Sequence, residues 1–228
     1  MYPRGVIALI FCLIFLFPET DLQAGNSAGG AWAGFYTSGS LHRDDKGPWR
    51  YGFYGDTRYQ DRGEGINQFV LLPAIGYRIN SKLTFWGGYT YFRSLKENAP
   101  AVNENRLFQQ VSWKINRWQR TNISSRTRLE QRSRHEVEDI DFRLRQQFRL
   151  EHRFAANMDL KYIVADEFFY HMRDTDWTRQ GWGQNRFYTG LGWDRHYVRV
   201  ELLYMHQTYR ARNRTNPVNH LLLAILKW

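Results

Sequence analysis

The stretch DIDFRLRQQFRLEHR, Asp139 to Arg153, decides the fold. Every second residue, Ile140, Phe142, Leu144, Gln146, Phe148 and Leu150, builds one largely apolar face. The alternate set, Asp141, Arg143, Arg145, Gln147, Arg149, Glu151 and Arg153, is heavily charged. At 180° per residue this is a two-faced strand, whereas at 100° per residue the apolar side chains scatter around a cylinder. A strand this long, greasy on one side and charged on the other, suits a transmembrane β-barrel with lipid outside and a polar lumen inside.

Composition agrees. The chain has 228 residues, and aromatics make up 17% of them although its mean hydropathy is negative. That average excludes a bundle of membrane helices and fits a barrel, in which alternation halves the hydropathy and aromatics band the interfaces. A soluble β-sandwich also alternates, so strand length must decide. The segment GVIALIFCLIFLF, residues 5–17, follows Arg4 and precedes Pro18. It is too short to span a bilayer as a helix and reads as the apolar core of a signal peptide. Residues 1–24 are the expected leader, with Leu22 larger than the usual residue at its position before the cut. Cys12, the only cysteine, falls inside it, so the exported chain is expected to have neither a disulfide nor thiol chemistry. The net charge of +10 would suit nucleic acid, but an export signal argues against that partner. Lipid headgroups, acidic solutes or acidic groups in the lumen are the expected counterparts.

Residues 25–48 read as a Gly-rich lead-in with a weakly alternating segment over 32–43, and 49–228 as the barrel. Strands are expected near 49–60, 66–79 and 83–94, and in further segments ending with 218–228. Polar loops are expected over 96–104, 133–139, 173–183 and 210–217. Most of these segments exceed the five or six residues usual in soluble domains and match the need of a tilted strand crossing a membrane. Short links near residues 79, 115, 154 and 194 alternate with the longer loops, as periplasmic turns and extracellular loops do. Counting from residue 49 gives an all-β antiparallel transmembrane barrel of about ten strands, with twelve as the alternative. The 32–43 segment would break parity and is expected at the periplasmic rim or inside the lumen. Asp166 interrupts an apolar face and predicts a bulge or a register shift there.

The charged faces supply the candidate site. Arg126, Arg128, Glu130, Arg132, Asp141, Arg143, Arg145, Arg149, Glu151, Arg153, Glu167, Arg186, Arg199 and Glu201 are expected to point into a narrow lumen. Guanidinium and carboxylate groups pair well where water is scarce, so a structural plug is the first reading. The excess of Arg makes an anion-selective channel for acidic solutes the second. The last strand places His220, Leu222, Ala224, Leu226 and Trp228 on one face, a pattern suited to recognition by barrel-insertion machinery. Two aromatic belts are expected: Trp49, Tyr77, Phe85, Trp113, Tyr162, Trp193, Tyr197 and Trp228 at one level, with Tyr59, Tyr91, Phe168, Tyr170, Phe187 and Tyr204 at the other. Catalytic patterns are weak. The histidines show no metal-ligand spacing, and Ser124 and Ser125 have no recognisable base. His171 with Asp174 and Asp176 could serve a rim enzyme acting on lipid or peptide. No cofactor or metal is expected.

The runs RTRLEQR (126–132), FRLRQQFRLEHR (142–153), ADEFFY (165–170) and NRFYTGLGW (185–193) resemble the family known as domain of unknown function 2490. The resemblance covers about Trp32 to Trp228. It implies a Gram-negative outer-membrane barrel among lipid and lipopolysaccharide, and brings no reaction, ligand or catalytic residue.

Overall fold

The computed structural model describes residues 27–42, 47–61, 66–96, 99–155, 158–210 and 217–228. The expected leader, residues 1–24, lies outside them. Eleven strands form one closed barrel: β1 (Ser27–Ser40), β2 (Trp49–Asp61), β3 (Ile66–Arg78), β4 (Leu83–Lys96), β5 (Ala99–Trp118), β6 (Thr121–Arg134), β7 (Val137–Arg153), β8 (Leu160–His171), β9 (Gly181–Arg195), β10 (Val198–Tyr209) and β11 (Val218–Lys227). Sequence neighbours pair antiparallel all the way round, and β1 closes the wall by pairing parallel with β11.

Eleven strands replace the expected ten, and the additional one is the segment that parity had set aside. Residues 27–40 lie neither at a rim nor inside the lumen. They form β1, so the barrel begins at Ser27 rather than at 49. Its ladder runs from Gly29 opposite Asp61 to Ser40 opposite Arg50, and from Ser27 beside Val218 to Tyr36 beside Lys227. Without it, β2 and β11 would each present a row of unsatisfied backbone groups. Its alternation is weak because Gly and Ala occupy both faces, while Trp32 and Tyr36 give the inner face its large side chains.

Two expected loops are largely strand. Residues 99–104 of the run read as a polar loop open β5, which extends over 20 residues. Here polarity is paired: Asn103 faces Tyr91 on the outside, where the tyrosine hydroxyl donates to its amide oxygen at 3.0 Å, and Glu104 points inward to Arg132. The 133–139 loop shrinks to a turn at His135 and Glu136 between β6 and β7, with Glu136 in the left-handed region at φ 68°. The bulge or register shift expected at Asp166 falls further along β8: pairing is continuous at Asp166 and shifts between Phe169 and Tyr170.

Period-two alternation governs burial. On β8 the side chains of Lys161, Ile163, Ala165, Glu167 and Phe169 are buried, and those of Tyr162, Asp166, Phe168 and Tyr170 are exposed. Aromatics expected in the two belts face outward, Trp49, Tyr77 and Trp193 from one set and Tyr59 and Tyr170 from the other, while Phe187 also faces outward but pairs with Asp166 near mid-strand. The links at 79–82, 119–120, 154–159 and 196–197 gather at one end of the barrel with the end of β11. The 172–180 link and the start of β1 lie at the other. Inside, small residues let aromatics lie against the wall: a Cβ at Gly76 would stand 2.6 Å from the Trp86 ring.

Candidate functional site

The site is the barrel interior, and it has two unlike halves. One half is apolar. Trp32, Ile163, Tyr188, Leu203, Met205, Leu221 and Leu223, from β1 and β8 to β11, pack into a single buried cluster. The other half is ionic, because alternate positions of β6 and β7 are mostly Arg, Glu or Asp, joined by Glu104 and Arg106 of β5 and Glu167 of β8.

In the ionic half Glu104, Glu130 and Glu167 each gather two or more guanidinium groups. Glu130 accepts from Arg143 at 2.6 Å and Arg145 at 2.7 Å, with Arg128 at 3.6 Å. Glu167 accepts from Arg145 at 2.7 Å and Arg126 at 2.8 Å, and the Tyr188 hydroxyl donates to its other oxygen at 3.3 Å. Glu104 binds Arg132 at 2.6 Å and Arg106 at 2.7 Å, and Arg132 reaches on to Asp141 at 2.7 Å. Glu104, Glu130, Asp141 and Glu167 expose no more than 1% of their surface. An enclosed carboxylate is tolerated only where charged donors replace its lost hydration, and each of these has them.

Aromatic rings join the two halves. Phe169 lies 4.6 Å from the Arg145 guanidinium and 4.8 Å from that of Arg186, and Arg186 lies 5.0 Å from the Trp32 ring on its other side. Arg58 stacks on Trp32 at 4.0 Å and Arg128 on Phe108 at 4.2 Å. Guanidinium groups are weakly hydrated and planar, so they stack on rings while donating in their own plane.

A second ionic cluster closes the short-link end. Glu201 accepts from Arg149 and Lys227, each at 2.7 Å, and Glu151 accepts from Arg149 at 2.8 Å and Arg199 at 3.3 Å. Asp194 pairs with Lys161 and Arg199 and lies 4.0 Å from Arg153. At the opposite end the 172–180 link folds over the ionic half. Asp139 holds it, accepting from Arg173 at 2.9 Å and from the Asp176 amide at 3.1 Å, while its carbonyl accepts from the Trp177 indole at 3.2 Å. The Trp177 ring lies 4.6 Å from the Arg132 guanidinium and 4.5 Å from that of Arg134.

All the charged residues expected in the lumen, from Arg126 to Glu201, belong to these ion pairs. Glu104, Lys161, Asp194, Lys227 and the apolar half were not foreseen. Glu104 was hidden in the presumed loop, although the period-two series Glu104, Arg106, Phe108, Gln110 continues through it. His171 does not meet Asp174 or Asp176. Its Nδ1 bonds Asp141 at 2.9 Å, and Thr178 donates to the same carboxylate at 3.0 Å. A base held by a carboxylate is half of a catalytic arrangement. Among the described residues no hydroxyl is hydrogen-bonded to the other ring nitrogen. His220, Leu222, Ala224, Leu226 and Trp228 share the outer face of β11, with Trp228 stacked on Phe35 of β1 at 5.9 Å.

The family described as "Protein of unknown function (DUF2490)" matches residues 29–218. The chain belongs to the DUF2490 family. The match begins within β1, so the first strand is part of the family's common region. An uncharacterized protein of Methylorubrum extorquens is 33% identical over 190 residues, covering 75% of this DUF2490 chain and 80% of that protein. No solved structure matches.

Proposed function

We propose that this DUF2490 protein is an outer-membrane β-barrel whose interior is packed shut and which serves a structural or binding role at the cell envelope. One observation carries the reading: burial is inverted. Glu130, Asp141 and Glu201 are wholly enclosed, while Ile75, Phe148 and Leu202 on the outer face are 57%, 55% and 61% exposed. Such a wall fits an apolar surrounding medium. The apolar leader over 5–17 supports export, and the outward face of β11 ending in Trp228 suits the barrel-insertion machinery. Lipid and lipopolysaccharide are the expected surroundings. The ionic clusters and the apolar half pack against each other inside the wall, and Trp177 of the 172–180 link stacks on the ionic half, which supports a plug.

A small anion-selective channel for acidic solutes is the second reading. It is favoured by the cation excess around Glu130 and Glu167, where Arg126 keeps 30% of its side chain exposed. Single-channel conductance of the purified protein in a planar bilayer separates the two. A plugged barrel inserts and stays silent. Steady openings with anion selectivity in a salt gradient would overturn the plug and make the Arg face the lining.

A further inference from the structure

The outer surface is not uniform. Around β10, β11 and β1 to β4 the central outward positions are apolar, as at Leu202, Leu222, Ala33, Phe53 and Leu71. Across β5 to β9 outward apolar residues such as Leu107, Leu144 and Phe148 are interspersed with polar side chains bonded to one another. Gln109 and Gln131 exchange amide hydrogen bonds at 3.3 and 2.9 Å. Thr127 donates to Gln146 at 2.6 Å, and Gln146 donates to Ser125 at 2.8 Å. Asn185 donates to Asp166 at 3.0 Å. Asp166 is exposed, sits midway between Tyr162 and Tyr170 on the same strand, and has Phe148 and Phe187 as its direct cross-strand neighbours.

In a membrane, apolar contact does not draw barrels together, because lipid is equally apolar. Polar groups do, and a carboxylate at the centre of the apolar belt is unfavourable against acyl chains. We propose that the β5–β9 wall is a two-fold contact surface between two copies of this barrel. The inference rests on the membrane reading above.

The complementarity lies within the patch. Among the described residues, the Asp166 carboxylate receives a side-chain donor from Asn185 alone, leaving acceptor capacity. Ser125 accepts from Gln146, so its own hydroxyl hydrogen is available. A two-fold axis beside β7 and along the barrel axis sets β8 of one copy opposite β6 of the other. Asp166 then faces the Ser125 side of its mate, and the same contact forms twice.

The test uses the full chain with Cys12→Ser, which removes the only cysteine. Gln146→Cys is introduced on the polar wall and Phe53→Cys on the apolar one, and each is treated with a bifunctional maleimide in isolated outer membranes. The expected result is a covalent dimer from Gln146→Cys and none from Phe53→Cys. Adding Asp166→Leu should weaken the dimer about tenfold in detergent, the equivalent of ~1.4 kcal/mol. A heat-dependent gel shift checks that each variant is folded. A monomer from Gln146→Cys, equal crosslinking from both walls, or crosslinking only to a different protein overturns the proposal while leaving the membrane reading standing. Recovery of the chain in the soluble fraction overturns the membrane reading, and this proposal with it.

Discussion

Glu167 is enclosed by the cations that need it. Its Oε1 accepts from Arg145 and Arg126, and Arg186 lies 4.0 Å from Oε2. Replacing it with Gln keeps the volume and removes the charge, so three guanidinium groups are left sharing an amide. Breaking a buried pair from one side costs about 3–5 kcal/mol, chiefly through the uncompensated charge that remains. Glu167→Gln should therefore lower the unfolding free energy of the refolded barrel by that amount, read as a lower urea midpoint. Leu71→Gln, a polar change on the exposed outer wall, is the contrasting control in lipid: it should hinder insertion more than it alters interior packing. An unchanged midpoint for Glu167→Gln would mean that the ionic half contributes little to stability. The arginines show what was legible at this scale. Period two places Arg143 and Arg145 on the inner face without any structure. It does not say that Arg145 bridges Glu130 and Glu167 while Arg128 leans on Gln110 and Phe108, because those partners come from neighbouring strands whose register the sequence leaves open.

The 172–180 link shows how one residue can anchor several points of an irregular backbone. Asp139, near the start of β7, supplies both carboxylate oxygens and its carbonyl to Arg173, Asp176 and Trp177. Asp139→Ala removes the two carboxylate contacts and keeps the third. Each lost hydrogen bond is worth roughly 0.5–1.5 kcal/mol, so the link should open at least several-fold more often. Trypsin cleavage at Arg173 or Arg179, followed by mass spectrometry, reads that opening directly, since cleavage tracks the open population when closing is fast. An unaltered rate would show that the other contacts, Trp177 on Arg132 and Arg134 and Thr178 on Asp141, hold the link without the Asp139 carboxylate. Elements were legible in proportion to their contrast. β7 announces itself because apolar and charged residues alternate along most of it, whereas on β8 Asp166 interrupts the outer face and Ile163 and Ala165 make the inner one apolar. β1 does not announce itself, since Gly and Ala blur both of its faces and its place depends on β11 at the far end of the chain. The start of β5 was hidden because Asn and Glu read as loop residues until their cross-strand partners are known.

At the scale of the molecule, the parallel pairing of β1 with β11 has a topological consequence. Bacterial barrels of one chain usually carry an even number of strands, which returns both ends to one side. Eleven strands put the start of β1 at the end of the 172–180 link and the end of β11 at the end of the short links. If β11 ends in the periplasm, as its outward Trp228 face suits, Ser27 opens to the cell exterior. The expected labelling pattern follows in a Cys12→Ser background. Arg179→Cys, on the exposed 172–180 link, should react with an impermeant maleimide on intact cells. Ser81→Cys, exposed on a short link, should react only after lysis. An epitope inserted just before Ser27 should bind antibody on intact cells, in step with Arg179→Cys. An epitope reached only after lysis, in step with Ser81→Cys, would mean that β1 runs the other way or leaves the wall. Closure would then fall to a different pairing of β2 and β11, because an open barrel cannot leave two edge strands bare in lipid, where no water satisfies their backbone.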